Sequence, residues 1–329
     1  MPDPILRGTH VVKRFGKRAD TRPAVADVSV SVWTGQTLGI VGESGSGKST
    51  LARCLALLEV PDEGQIVFAG LDMRVLRGRE LRSVRRRIQI IFQDPFSSLN
   101  PRLTVGQTLE EVLTVHQIVP PARRRARTAE LLDRVGLPAS AAGRYPAAFS
   151  GGQRQRICLA RALAAEPEVL IADEPVSALD VSIQAQILNL LRDLQQELGL
   201  AIFFVSHNLF VVQYMTDDIA IMFGGRIVEQ LPGDTPLREA RHPYTQALVA
   251  AAPRLAPASG PRVESRGGLS STLPATGCPY RQRCPHAFAP CESIDPAALP
   301  VDSNPNHLVA CHYVAMNTSS ANSMVGASG

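Results

Sequence analysis

Apolar residues recur along this chain with two different periods, and the changes between them lay out its architecture. From about residue 5 to 70, short segments such as Val28-Ser-Val-Ser-Val32 and Gln65-Ile-Val-Phe68 alternate, which predicts antiparallel strands with one buried face. Within that stretch Thr37-Leu-Gly-Ile-Val41 is almost continuously apolar and reads as a strand buried on both faces. Thr50-Leu-Ala-Arg-Cys-Leu-Ala-Leu-Leu58 then takes helical spacing. Residues from about 96 to 165 lack strong strand runs, and Thr128-Ala-Glu-Leu-Leu-Asp-Arg-Val135 has the helical period, stopped by Gly136 and Pro138. From 166 to 230 strands and helices alternate again, the pattern of a parallel sheet. After residue 252 the segments Ala256-Pro-Ala-Ser-Gly-Pro261 and Arg266-Gly-Gly-Leu-Ser-Ser271 read as linker. The expected organisation is therefore an α/β domain over 1–252 and a small irregular cysteine-bearing extension over 253–329, ending in a disordered tail from Ser319.

The chemistry sits at the ends of the apolar runs. Gly42-Glu-Ser-Gly-Ser-Gly-Lys-Ser49 fits G-x-x-x-x-G-K-[ST], with a strand before it and a helix after it. Gly42, Gly45 and Gly47 let backbone N–H groups, with those of Ser44 and Thr50, approach phosphates at the positive end of a helix. Lys48 supplies a point charge to the β- and γ-phosphates, and the Ser49 hydroxyl is an expected Mg²⁺ ligand. A dinucleotide fingerprint starting at Gly45 fails, because Thr50 stands where its third small residue belongs.

Val169-Leu-Ile-Ala-Asp-Glu174 is an apolar run closed by two acids, a buried parallel strand that delivers carboxylates at its C-terminal edge. Asp173 is expected to hold the magnesium shell and Glu174 to polarise the attacking water. Taken alone, two such acids also fit a solvated helix start.

Phe149-Ser-Gly-Gly-Gln-Arg-Gln-Arg156 resembles the signature of ATP-binding-cassette ATPases, and Ser177-Ala-Leu-Asp180 and Val205-Ser-His207 are similar to that family's D-loop and switch histidine. The resemblance implies a P-loop NTPase cassette: a parallel-sheet core, an N-terminal antiparallel layer, and a helical subdomain at about 96–165 that grips the transmembrane partner. It also implies head-to-tail pairing, with Ser150, Gly151, Gly152, Gln153 and Asp180 acting in trans on ATP held by the partner's phosphate loop. Gln93, after the strand Ile88-Gln-Ile-Ile-Phe92, would sense the γ-phosphate and join Ser49 and Asp173 around Mg²⁺; His207 would contact the γ-phosphate beside Glu174. Phe15 matches the aromatic that stacks on adenine. For His207 and Phe15 the alternative is an ordinary core residue.

The longer segments Asp173-Glu-Pro-Val-Ser-Ala-Leu-Asp-Val-Ser-Ile-Gln-Ala-Gln-Ile-Leu-Asn-Leu-Leu191, Gln93-Asp-Pro-Phe-Ser-Ser-Leu-Asn-Pro-Arg102 and His242-Pro-Tyr-Thr-Gln-Ala-Leu248 resemble the second, F-type ATPase of bacterial dipeptide and oligopeptide permeases. That likeness runs from about Leu6 to His312. It implies an ATPase heterodimer with a second ATPase subunit, two transmembrane permease subunits, and, indirectly, an extracytoplasmic substrate-binding protein. The place of work would be the cytoplasmic face of the bacterial inner membrane. A nickel or other small-solute importer of the same subfamily is the alternative within transport, and a soluble cassette ATPase the alternative outside it. Asn208 departs from the aspartate that many relatives carry after the histidine.

Composition narrows this further. A chain of 329 residues with 45% hydrophobic content supports a sizeable core, and it has no 18-residue apolar run to span a membrane. The N-terminus carries Asp3 and no stretch of signal-peptide length, so the chain is expected to stay cytoplasmic and meet the membrane through partners. Its net charge of +4 comes partly from arginine clusters at 82–87 and 123–127. These lack interleaved aromatics and read as solvated helix faces rather than a nucleic-acid surface, with anionic lipid headgroups as a third option.

Cysteine usage is uneven. Cys54 and Cys158 fall inside expected helices and read as inert core thiols, whereas Cys278, Cys284, Cys291 and Cys311 cluster near the C-terminus. Disulfides are rare in the cytosol, so four clustered thiols point to tetrahedral zinc or an iron–sulfur cluster. The permease resemblance implies a [4Fe–4S] cluster on these four. His286, His307 and His312 are available as substitute ligands but are expected to lie behind the ligands or at the surface.

Overall fold

The computed structural model describes residues 3–16, 22–251, 274, 276–301 and 304–317. The elements run β1 (Leu6–Lys13), β2 (Val25–Val32), β3 (Thr37–Val41), α1 (Lys48–Leu55), β4 (Glu63–Phe68), β5 (Leu71–Asp72), α2 (Gly78–Arg87) and β6 (Ile88–Ile91). Helices α3 (Pro95–Ser98), α4 (Val105–Val115), α5 (Arg124–Arg134) and α6 (Gly151–Leu163) follow without an intervening strand. The chain then returns to β7 (Val169–Asp173), α7 (Val181–Leu198), β8 (Ala201–Ser206), α8 (Leu209–Met215), β9 (Asp218–Phe223), β10 (Arg226–Pro232) and α9 (Pro243–Ala251), and the C-terminal part adds α10 (Pro290–Ser293), β11 (Ala298–Val301) and β12 (Asn304–Ala310).

Two sheets form. The smaller is antiparallel, in the order β2-β1-β4-β5. The larger has eight strands in the order β11-β12-β10-β9-β3-β8-β7-β6, parallel from β9 to β6 and antiparallel beyond β9. Its central strands separate two apolar cores, and successive residues divide between them. Leu170, Ala172, Ile202 and Phe204 face the core shared with the helices. Val169, Ile171, Phe203 and Val205 face the core shared with the antiparallel layer and α1. Both faces of β7 and β8 are thus covered, which is why these strands read as unbroken apolar runs instead of alternating. Truncating a fully buried residue here, such as Phe203→Ala, would cost about 3–5 kcal/mol.

The helical stretch packs through Leu109, Leu113, Leu131, Leu132 and Val135, all buried. α4 starts at a reciprocal cap, in which the Gln107 N–H donates to Thr104 Oγ1 at 3.2 Å and the Thr104 N–H donates to Gln107 Oε1 at 2.8 Å. The arginine clusters are tied into the fold. Arg85 donates to the Leu57 carbonyl at 2.8 Å, Arg87 forks onto Glu168 and lies over the Phe68 ring, and Arg127 pairs with Glu130 at 3.0 Å and Glu166 at 3.2 Å. Among the described residues no helix is long and apolar enough to cross a membrane.

The C-terminal extension, expected as a small irregular appendage, is partly regular. β12 pairs with β10 through Glu229↔Val309 and Gln230↔Leu308, so it extends the main sheet. Glu229 is fully buried and satisfied three times: the N–H groups of Arg241 and His242 donate to it at 2.7 and 3.2 Å, and His307 Nε2 lies 2.7 Å away. A buried carboxylate without such partners would be costly, so this residue fixes β12 in place. The linker segments at 256–261 and 266–271, the 252/253 boundary and the tail from Ser319 lie outside the described residues.

Candidate functional site

The loop between β3 and α1 turns sharply and delivers α1 end-on into a cavity of about 530 Å³. α1 begins at Lys48, two residues before the expected start at Thr50, because Gly47 ends the loop at φ 106°. A Cβ at Gly47 would sit 2.1 Å from the Ala24 carbonyl oxygen, so only glycine fits there. Ser44, Gly45, Gly47, Lys48, Ser49 and Thr50 line one side of the cavity. Gln93, Glu174 and His207, just past the ends of β6, β7 and β8, line the other. Ala24, Ser177 and Ala178 complete it. The cavity therefore lies at the carboxyl edge of the parallel strands, where open α/β sheets hold ligands.

Lys48 is buried and donates from Nζ to the carbonyls of Gly42 at 2.8 Å and Glu43 at 2.9 Å. Burial lowers its pKa, against the opposing pull of Glu174, Asp173 and Glu43. Ser49 Oγ donates to Asp173 Oδ1 at 2.8 Å. Burial raises the Asp173 carboxyl, and the Ser49 hydrogen bond opposes that shift. A hydroxyl and a desolvated carboxylate side by side are hard oxygen donors of the kind Mg²⁺ takes.

Glu174 stands in the left-handed backbone region at φ 48°, uncommon for a residue with a side chain. Its N–H donates to the Val205 carbonyl at 3.0 Å, which locks the strained position against β8. The side chain is 12% exposed, and Oε2 accepts from Gln93 Nε2 at 3.2 Å and lies 3.0 Å from His207 Nδ1. The His207 side chain is 54% exposed, so the core-residue alternative does not apply to it. The solvated-helix alternative for the two acids also falls, since Asp173 ends a fully buried strand. Ser177, the first residue of the D-loop-like segment, has no separate role in the sequence reading; its Oγ donates to the Glu174 carbonyl at 3.2 Å and backs the same turn.

The remaining expected residues lie elsewhere. Ser150, Gly151, Gly152 and Gln153 begin α6 and are not among the residues lining the cavity. Ser150 and Gln153 cap each other, with Gln153 N–H to Ser150 Oγ at 3.4 Å and Ser150 N–H to Gln153 Oε1 at 3.1 Å. Gly152 is required by packing within the chain, because a Cβ there would sit 2.4 Å from Ile183 Cγ2 of α7. Asp180 takes the position before α7, exposed and without a capping bond from its side chain. Phe15 is 56% exposed, with Lys13 Nζ 5.5 Å from its ring centroid, so it too is no core residue. Asn208 has a local role: its Oδ1 accepts from the N–H groups of Phe210 at 3.0 Å and Val211 at 3.3 Å and caps α8.

The ABC transporter family model matches residues 25–177. A putative peptide import ATP-binding protein of Brucella ovis is 46% identical over 310 residues, 94% of this chain and 97% of that protein. This chain is a member of the ABC transporter ATP-binding proteins. The dipeptide transport ATP-binding protein DppF of Escherichia coli is 44% identical to this ATP-binding protein, over 94% of this chain and 91% of its own length. A dimeric post-hydrolysis state of the ATP-binding cassette MJ0796, bound to ADP and Pi, superposes with a TM-score of 0.62 at 30% identity, over 70% of this chain and 100% of that one. A second family model, the oligopeptide/dipeptide transporter C-terminal region, matches residues 228–291.

That C-terminal match carries the cassette into three of its four clustered cysteines. Cys278, Cys291 and Cys311 are buried, Cys284 is half-buried, and none is in a disulfide. Burial pushes the Cys278 thiol up to about 11 and raises those of Cys284 and Cys311, with neighbouring thiols of the set adding to each shift. Backbone N–H groups of Tyr280, His286, Tyr313 and Val314 pull the other way. Among the described residues no three His, Cys, Asp or Glu side chains are gathered closely enough to hold an ion. The candidate substitutes are engaged elsewhere: His307 with Glu229, His312 Nε2 with the Ile294 carbonyl at 3.0 Å, and His286 stacked on Tyr313 with centroids 4.1 Å apart. Cys54 and Cys158 are buried with pKa values pushed up to about 11, as suits inert core thiols.

Proposed function

We propose that this chain is the ATP-hydrolysing subunit of a membrane importer for di- or oligopeptides. The observation that carries the reading is the Glu174 carboxylate held between Gln93 and His207, beside the Ser49–Asp173 pair and above Lys48. In this reading Lys48 leaves the loop carbonyls for the β- and γ-phosphates, and Ser49 and Asp173, with Gln93, hold Mg²⁺. Glu174 takes a proton from the attacking water as His207 contacts the γ-phosphate. Phe15 offers its exposed face to adenine. The cargo class rests on the names of relatives such as DppF and on the C-terminal family match.

Ser150 to Gln153 and Asp180 cap the nucleotide of a second ATPase subunit, in a head-to-tail heterodimer that drives two permease subunits at the cytoplasmic face of the inner membrane. Their position outside this chain's own cavity and the dimeric cassette among similar structures support that arrangement. The test is reconstitution of the full complex in vesicles with the peptide-binding protein. ATP turnover that rises with peptide-loaded binding protein and falls to background with Glu174→Gln is the expected result; turnover indifferent to peptide would overturn the cargo assignment.

We further propose that residues 253–329 form a module in which Cys278, Cys284, Cys291 and Cys311 hold a [4Fe–4S] cluster, with zinc as the alternative occupant. The donor set fits in kind: four thiols, of which Cys278, Cys284 and Cys311 each face backbone N–H donors of the sort that stabilise sulfur anions. When bound, the cluster would lock the extension by joining four distant points of the chain. Iron, sulfide and zinc content with a visible spectrum, on protein purified without oxygen, decides it. Stoichiometric iron and sulfide support the cluster, and zinc without colour replaces it with a structural clip.

A further inference from the structure

Glu43, the second residue of the phosphate loop, is held from outside the loop at both backbone and side chain. Its N–H donates to Tyr244 Oη at 2.9 Å. Its carboxylate accepts from Arg283 Nη1 and Nη2, each at 2.9 Å, a two-point fork across 240 residues of chain. Its carbonyl accepts from Lys48 Nζ at 2.9 Å. Arg283 stands between Cys278 and Cys284, so a single loop residue links the cysteine segment to the phosphate-binding lysine.

The fork is well supported from behind. Phe223, Tyr244 and Tyr280 form an aromatic cluster with centroids 4.5 to 5.4 Å apart, and the Arg283 guanidinium lies over Phe223 at 5.7 Å and Tyr280 at 5.6 Å. A second anchor reaches the segment that abuts Gly47 of the loop. Arg22 donates to the Gly277 carbonyl and to Asp295, both at 3.0 Å, two residues before the cavity-lining Ala24.

We infer that Arg283 is a positioning residue for the phosphate loop: through Glu43 it makes nucleotide affinity depend on the folded cysteine segment. Two effects act together. A bidentate guanidinium–carboxylate pair fixes the plane of Glu43 and with it the carbonyl that parks Lys48, so less of the loop must be ordered when ATP arrives. The same pair neutralises a carboxylate that would otherwise stand beside a polyanion. The inference rests on the ATP-binding reading above.

The test measures the Kd of Mg²⁺–ATP on the full chain and KM and kcat in the assembled complex. Arg283→Gln should raise the Kd about three- to tenfold, the range of a partly exposed but ideally forked pair, and Arg283→Lys should raise it less. Adding Glu43→Gln to Arg283→Gln should bring no further loss, because the unpaired carboxylate is gone. KM for ATP should follow the Kd while kcat at saturating ATP stays within about twofold, a split that general destabilisation would not produce. An unchanged Kd in Arg283→Gln, or losses that add in the double variant, would overturn the inference. Lys48→Ala run in parallel separates the two readings: if it still binds ATP normally, the ATP site itself is misassigned.

Discussion

Glu174 Oε2 lies 3.0 Å from His207 Nδ1, although the two residues follow different strands and stand 33 positions apart. β7 and β8 are parallel neighbours in the register Asp173↔Val205, so the positions just past each strand end come together at the sheet's edge. Gln93 Nε2, past the end of β6, donates to the same carboxylate oxygen at 3.2 Å. A carboxylate gripped by an amide and an imidazole has its orientation set before substrate arrives.

From this geometry Glu174→Gln should keep Mg²⁺–ATP binding and dimer closure while lowering turnover at this site at least about 100-fold, the usual scale of a lost general base. Equilibrium nucleotide binding measured beside steady-state phosphate release checks it. Normal turnover would remove Glu174 from the chemistry.

Asp173 gives a pH-dependent signature. Its carboxyl is raised above 3.8 by burial, so it contributes stability below pH 3.8 that is lost as pH rises through its folded value. Asp173→Asn keeps an acceptor for Ser49 and removes that ionisation. The nucleotide-free variant should melt roughly 1–3 °C higher than the parent at neutral pH, with the gain vanishing below about pH 4, and should lose Mg²⁺-dependent ATP binding. Thermal melts across pH, with and without Mg²⁺–ATP, would show both effects.

His242 titrates in the opposite sense. Burial lowers it from 6.5 to about 4, so its neutral form contributes stability in full above pH 6.5, lost as pH falls towards 4. Its Nδ1 accepts from the Tyr244 N–H at 3.0 Å, a bond a glutamine oxygen can replace. In His242→Gln the fall in melting temperature between pH 6.5 and 4 should be shallower than in the parent. Parallel slopes would show that other groups govern acid unfolding.

Ser150 combines a local and a remote role. Ser150→Ala removes the α6 cap and should cost about 1 kcal/mol of stability. ATP affinity of the isolated chain should be unchanged, while turnover at the partner's site in the assembled complex should drop. A loss confined to this chain's own nucleotide would contradict head-to-tail pairing.

Sequence alone determined the elements whose signals are local. Thr37-Leu-Gly-Ile-Val41 became β3 with the same bounds, and the glycines and Lys48 that follow it define the phosphate loop, because a buried parallel strand and a glycine-rich turn are set by neighbouring residues. Tertiary structure decided what depends on distant partners. β12 joins β10 through a buried Glu229 that no local pattern marks, and Asn304-Pro-Asn-His-Leu-Val-Ala310 carries too few apolar positions to announce a strand. His207 and Phe15 each have two readings in the sequence, and their exposure removes the core one. Arg283, one arginine among many in the sequence, meets Glu43 because the sheet order folds the C-terminal segment over the loop. Periodicity reports which face of an element is buried, and contacts across 240 residues arise from sheet order and register, which no single segment encodes.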